Sequence, residues 1–273
     1  MTNELARRLE QAEAAAAFSW CTAIETPPRT TFQVKASRHG KATVLISRDL
    51  LLGSSFSRVL GFGEENVAEL PVLIDLFAKE RSPLRIDLNP YCATPGILKE
   101  LSAFKMRPIR HQSILYGPCG APDISELPTK QRSKVRLIGA ADAQAWARVW
   151  RESYAQMLGV SPAALVDLSL ATAALHKTPN WNLYLATIDS EPAAVSTLYI
   201  HDGIGFLGQS GTLPQFRGQG CHASMLRQRL SDAFQNNCLL MSSVADLGSI
   251  AQHNLERAEL RIGYTRAYWV RFP

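Results

Sequence analysis

The sequence has no cysteines at CxxC spacing and no close group of them: Cys21, Cys92, Cys119, Cys221 and Cys238 are scattered along 273 residues. An odd, dispersed set argues against a disulfide framework and against a structural zinc site, both of which need cysteines at short, defined intervals. There is no basic stretch followed by an apolar run at the amino terminus, where residues 1–13 are charged and helix-patterned. No uncharged apolar segment approaches the length of a membrane span. Neither a secretory leader nor a membrane anchor is expected, and the chain reads as cytoplasmic. Charge is scarce too, at 19% of residues against 46% hydrophobic, which excludes a largely disordered chain and supplies a packed core.

The net charge of +5 has no single source. Residues 1–125 carry 15 basic and 13 acidic side chains, and residues 126–273 carry 14 and 11. Only Lys130-Gln131-Arg132-Ser133-Lys134-Val135-Arg136 is concentrated, and it follows Pro118, Pro122 and Pro128. A solvated linker accounts for that run better than a polyanion patch, so a nucleic-acid partner is not expected.

The length suits two domains, and the stretch from Tyr116 to Lys130, with two glycines, three prolines and little periodicity, marks the boundary. The expected division is a first domain over 1–120, a linker over 121–132 and a second domain over 133–273. In the first, strands are expected at Phe32–Ala36, Thr43–Ser47, Phe56–Phe62, Leu84–Leu88 and Arg107–Leu115. Helices are expected at 70–80, with Leu70, Leu73, Ile74 and Phe77 on one face, and after the Thr94-Pro95 start signal. The second opens with a strand at Lys134–Ile138, a helix burying Trp146, Val149, Trp150, Tyr154 and Met157, and another begun by Ser161-Pro162. Strands Asn182–Ile188, Ala194–His201 and Ile204–Leu213 follow. Helix 219–236, strand Cys238–Val244, helix 249–257 and strand Arg261–Arg271 complete it. Both halves share the order strand, strand, strand, helix, strand, helix, strand. The fold class is therefore α/β, with two similar halves, each a mixed sheet flanked by helices.

The segment richest in chemistry is Leu213-Pro214-Gln215-Phe216-Arg217-Gly218-Gln219-Gly220-Cys221-His222, between an apolar strand and an amphipathic helix. Glycines there let the backbone approach a ligand, and the helix start points free N–H groups at an anion. Arg217 adds a fixed positive charge. A diphosphate suits this arrangement; so does the plainer alternative of a strand-to-helix turn that uses glycine for tight packing.

Residues Pro214 through Leu226 resemble motif A of the GNAT acetyltransferase superfamily, written R/Q-x-x-G-x-G/A after a proline that ends the fourth strand. Arg217 matches the first position and Gly220 the central glycine, while His222 stands where glycine or alanine is usual. The resemblance covers about residues 133–273, and the first half looks like a degenerate copy. It implies two GNAT-like domains, acetyl-CoA as co-substrate, and transfer of the acetyl group to a small-molecule or peptide amine. By resemblance, Ser210, Gly211 and Thr212 would pair with the pantetheine arm. Arg217, Gly218, Gln219, Gly220, Cys221 and His222 would surround the diphosphate, and Asn254 would face the cofactor.

The chemistry of transfer is less legible. An amine must lose a proton before it attacks a thioester. On position, Asp246 is the best carboxylate for that task; a turn or cap residue is the alternative reading. Leu255 stands where the family's tyrosine would protonate the leaving thiolate, and Tyr264 or Tyr268 on the closing strand is the substitute unless both are core residues. Cys221 fits a packed cysteine better than a reactive thiol. In the first half, Gly61-Phe62-Gly63 runs into Glu64-Glu65, whose carboxylates repel a diphosphate. The alternative to an enzyme is a coenzyme A-binding regulatory or scaffolding module.

Overall fold

The computed structural model describes residues 1–25, 33–48, 56–120 and 133–271. The expected linker and Phe32 lie outside the described residues. The chain opens with helix α1 (Asn3–Glu25). Strands β1 (Val34–His39), β2 (Ala42–Ser47) and β3 (Arg58–Leu60) follow, then α2 (Leu70–Lys79), β4 (Arg85–Leu88), α3 (Pro95–Ala103) and β5 (Met106–Pro118). The second half contains β6 (Ser133–Leu137), α4 (Ala143–Leu158), α5 (Val166–Ala173), β7 (Trp181–Ile188), β8 (Glu191–His201) and β9 (Ile204–Thr212). It ends with α6 (Cys221–Gln235), β10 (Leu240–Asp246), α7 (Ile250–Glu256) and β11 (Arg261–Arg271).

Local chemistry sets several of these boundaries. Thr94 accepts a hydrogen bond from the Ile97 amide at 3.2 Å with Pro95 in the first turn, so α3 begins where the sequence signal stands. Ser249 caps α7 in the same way, through the Gln252 amide at 3.2 Å. Ser161-Pro162 instead opens one short 3-10 turn, and α5 starts only at Val166. The third strand, expected over Phe56–Phe62, shrinks to three residues because Gly61 turns the chain at φ +73°.

Among the described residues, eleven strands form one mixed sheet in the order β1-β2-β3-β4-β11-β5-β10-β9-β8-β7-β6. The halves trade their last strands. Strand β5, expected to close the first half, pairs antiparallel with β10 from Leu240↔Pro118 to Asp246↔Gln112. Strand β11 from the second half pairs with β4, and β5 and β11 pair with each other at the centre. Two similar halves thus share one sheet, and among the described residues β1 and β6 are its edges. Removing interior edges saturates backbone groups that two separate sheets would leave open.

Alternation along the strands assigns the helices to faces. Leu45 meets α1, whereas Val44 and Ile46 meet α2. One face carries α1, α4 and α5; the other carries α2 and α3 over the first half and α6 and α7 over the second. The sequence marks α1 only as a charged, helix-patterned stretch over its first 13 residues, yet it is a central element. Its run Ala14–Ala17 is buried, and small side chains let it lie close to the sheet. Trp20 donates to the Thr172 hydroxyl on α5, and Trp181 on β7 donates to Ser19, each at 3.0 Å. The amino-terminal helix therefore binds both halves.

Candidate functional site

Strands β9 and β10 run parallel and pair from Ile204↔Leu240 to Leu207↔Ser243, where the pairing stops. Strand β9 continues to Thr212 and β10 to Asp246, so the two part and leave a wedge in the sheet. The cause is local. Against β8, the register steps from Leu198↔Leu207 to Ser196↔Ser210, placing one extra residue in β9. Such a bulge bends its strand away from its neighbour.

The same register fixes what faces the opening. The Leu213 amide donates to the Ala193 carbonyl at 3.0 Å. Antiparallel parity then points the N–H and C=O of Ser210 and Thr212 away from β8, into the wedge. Consistent with this, the Ser210 amide donates to the Tyr154 hydroxyl at 3.2 Å, and Arg217 Nε donates to the Thr212 carbonyl at 3.4 Å. Gly211 belongs to the scaffold: a Cβ there would lie 2.2 Å from Ser153 Oγ, so only glycine admits α4 this close.

At the wedge, Gln209 Nε2 and Ser210 Oγ on β9 are buried and stand without a partner in the chain. Buried polar groups are nearly always hydrogen-bonded, and these two beside the outward-facing backbone of β9 suit an extended polar ligand such as a pantetheine arm. Beyond the wedge, Leu213 leads into a turn with Gly218 at φ +75° and Gly220 at φ +81°. Gly220 is the N-cap of α6, and no side chain caps this helix. Its first amides are available to an anion, as a diphosphate requires.

The expected residues divide by position. Gly218 and Gln219 are exposed in the turn. Arg217 lies over it, donating to Gln156 Oε1 on α4 at 2.6 Å. The Cys221 side chain is buried among Ala186, Ala194 and Met225, and burial raises its thiol pKa, so only its backbone faces the helix start. His222 is half-buried; burial first, then Arg229 and Arg257, pushes its imidazole down to about 4. It is neutral near pH 7 and leaves the positive charge to the arginines. Asn254 on α7 accepts a hydrogen bond from Arg257. Leu255 is buried in the core.

Asp246 stands at the end of β10, on the wedge side, but it is ion-paired to Arg110 of β5 and accepts from Gln112 at 3.4 Å. Tyr264 lies away from the wedge. It sits on β11, separated from β9 by β5 and β10, and its ring packs edge-on against Tyr91 of the first half. The strand exchange carried it away from the wedge. Sequence order missed Tyr154, which stacks on Trp150 with ring centroids 4.5 Å apart and places its hydroxyl at the β9 bulge. Burial pushes this hydroxyl up to about 12, so it keeps its proton. The apolar helix pattern marked Tyr154 as core and carried no sign of this.

No protein-family model matches the sequence, and no curated protein is similar enough in sequence to count as a match. Solved structures do match over nearly the whole chain. A GCN5-related N-acetyltransferase from Kribbella flavida superposes with a TM-score of 0.60 at 18% identity, covering 95% of each chain. A tandem GNAT protein from the clavulanic acid biosynthesis pathway superposes with a TM-score of 0.56 at 12% identity, covering 97% of this chain and 93% of that one. The chain has the tandem GNAT fold. A third GNAT structure, from Sphaerobacter thermophilus, covers 85% of this chain at 13% identity with a TM-score of 0.56. Among the described residues no single helix is long and apolar enough to cross a membrane.

Proposed function

We propose that this tandem GNAT chain is an N-acetyltransferase that moves an acetyl group from acetyl-CoA to an amine, small-molecule or peptide, by direct attack in a ternary complex. One observation carries the reading. The parted β9–β10 strands, with their unpartnered polar lining, lead to the uncapped start of α6, a 15-residue helix behind a glycine turn. A long ligand with an amide-bearing arm and an anionic end matches both parts at once.

In this reading residues 133–273 form the acetyl-CoA domain and residues 1–120 a degenerate companion. The outward-facing backbone of Ser210 and Thr212 pairs with the arm, and Gly211 holds β9 against α4. The amides of Gly220, Cys221 and His222 receive the diphosphate, with Gly218 and Gln219 leaving room and Arg217 supplying charge. Arg257 and Asn254 close the site from α7. Bound acetyl-CoA supplies the acetyl group as a thioester. Asp246 is the carboxylate placed to take the amine's proton, once it parts from Arg110. The Tyr154 hydroxyl, protonated at the bulge, donates to the departing sulfur in place of the missing family tyrosine.

The alternative, a coenzyme A-binding regulatory module, is favoured by the Asp246–Arg110 pair and by the buried Leu255. Incubation with acetyl-CoA and a panel of amines, following free thiol release, separates the two. Steady release above the hydrolysis background is expected. Tight coenzyme A binding by calorimetry with no turnover on any amine selects the regulatory reading. Absence of binding removes both.

A further inference from the structure

The first half has its own wedge. Strands β3 and β4 are parallel and meet only at Val59↔Ile86. Beyond that point a cleft of about 150 Å³ opens, lined by Arg7, Glu10, Lys41, Gly61, Tyr91 and Cys92, among others. At its floor lies Glu10 of α1, only 4% exposed. Glu10 Oε2 accepts from Asn89 at 3.2 Å and the Gly61 amide lies beside the same carboxylate, but Oε1 makes no hydrogen bond of normal geometry within the chain. The Tyr264 hydroxyl, also buried and unpartnered, stands close enough to Glu10 and Cys92 for their charges to affect it. Of the other charges that line the cleft, Lys41 and Glu65 offset one another in sign, and the rest have partners. Arg38 donates to Thr43 and lies over the Phe18 ring, Glu64 accepts from Thr94, and Arg7 is hydrogen-bonded to Cys92.

We propose that this cleft binds a small organic amine, whose ammonium group donates to Glu10 Oε1 with the Tyr264 hydroxyl and the Tyr91 ring beside it. Above about pH 7, where Glu10 has lost its proton, its carboxylate only accepts, so its complement is a donor, and a cationic donor gives the stronger bond. The volume limits the guest: a cavity of about 150 Å³ takes a molecule the size of benzene, with about six heavy atoms. A diphosphate is excluded by size and by the carboxylates of Glu10, Glu64 and Glu65. This site is distinct from the proposed acetyl-transfer site. Strands β4, β11, β5 and β10 lie between the two wedges, so at about 4.8 Å per strand they are roughly 19 Å apart. The inference is independent of the reading of the β9–β10 wedge.

Cys92 provides a local readout, because it alone of the five cysteines is not buried. Its alkylation by iodoacetamide is followed by peptide mass spectrometry, with n-butylamine as the probe and n-butanol as its uncharged match. At about ten times its Kd the amine slows alkylation about tenfold, and n-butanol does not. Glu10→Gln, with its fold checked by circular dichroism, loses the protection. Gly218→Glu, at the other wedge, keeps it. No protection by the amine in the parent chain, equal protection by n-butanol, or protection that survives Glu10→Gln overturns the proposal. The first two hold even if the Glu10 variant fails to fold.

Discussion

The carboxylate of Glu13 on α1 receives both terminal nitrogens of Arg266 on β11, at 2.6 and 2.8 Å, across 253 positions of sequence. Arg58 joins the same carboxylate at 3.0 Å, and Asp87 closes the group at 3.3 Å from Arg58 and 3.6 Å from Arg266. The amino-terminal helix is thereby fastened to the exchanged carboxy-terminal strand. Burial alone would raise the Glu13 pKa, but Arg266 and Arg58 outweigh it and hold the carboxyl near 2.

Removing one member of such a buried group leaves an uncompensated charge, so Glu13→Gln is expected to cost about 3–5 kcal/mol at neutral pH. The folded pKa is depressed, so the stabilisation is complete above the unfolded value of 4.5 and is lost as pH falls toward about 2. Urea unfolding of parent and variant should therefore give a gap that narrows with acid. A gap independent of pH would remove the ion pair as its source.

Glu10 behaves in the opposite sense. Burial raises its pKa from 4.5 to about 7. Between those values the unfolded chain ionises while the folded chain keeps its proton, so rising pH costs stability. Glu10→Gln has no such titration. It should match the parent in acid and exceed it by up to about 3 kcal/mol above pH 7, at about 1.4 kcal/mol for each tenfold difference in proton affinity between the folded and unfolded chain. Urea midpoints across that range measure it.

Gly218 has open space around it and sits at φ +75°. Gly218→Ala tests the backbone alone and should cost about 1–2 kcal/mol of stability. Gly218→Glu adds a carboxylate beside the proposed diphosphate position. Repulsion of about 1–4 kcal/mol per charge pair weakens coenzyme A binding by at least about fivefold beyond the alanine variant. Titration calorimetry should also report one coenzyme A per parent chain, since Glu64 and Glu65 occupy the matching turn of the first half. A second site of similar affinity that survives Gly218→Glu would show that the first half binds coenzyme A too.

Tyr154→Phe removes the hydroxyl at the bulge and keeps the stack on Trp150. A group with a pKa near 12 is a weak acid at neutral pH, so kcat should fall about 10–100-fold, at or below the low end for general acids, while coenzyme A affinity holds. Tyr264→Phe should leave kcat unchanged, because β11 carries Tyr264 beside the strands of the first half, with β5 and β10 between it and β9. The reverse pattern would put the acid on β11.

The sequence by itself determined the element order, the two-fold rhythm and the glycine turn before α6, because caps, prolines and hydrophobic periods are local signals. Thr94-Pro95 announces a helix that begins where those residues stand. The repeat of strands and helices marked two similar halves without any residue-level repeat. What only the tertiary structure decided depends on pairing between distant strands. Nothing near Tyr264 says that β11 will leave its own half, because hydrogen bonding between strands is indifferent to which half supplies them. The wedge follows from one extra residue in β9 against β8, a register that the alternation of side chains does not reveal. Glu10 and Glu13 read as solvated charges on a polar helix until α1 crosses the sheet. Tyr154 reads as core for the same reason: a helical period says that a face is buried, and only the packed neighbour says against what.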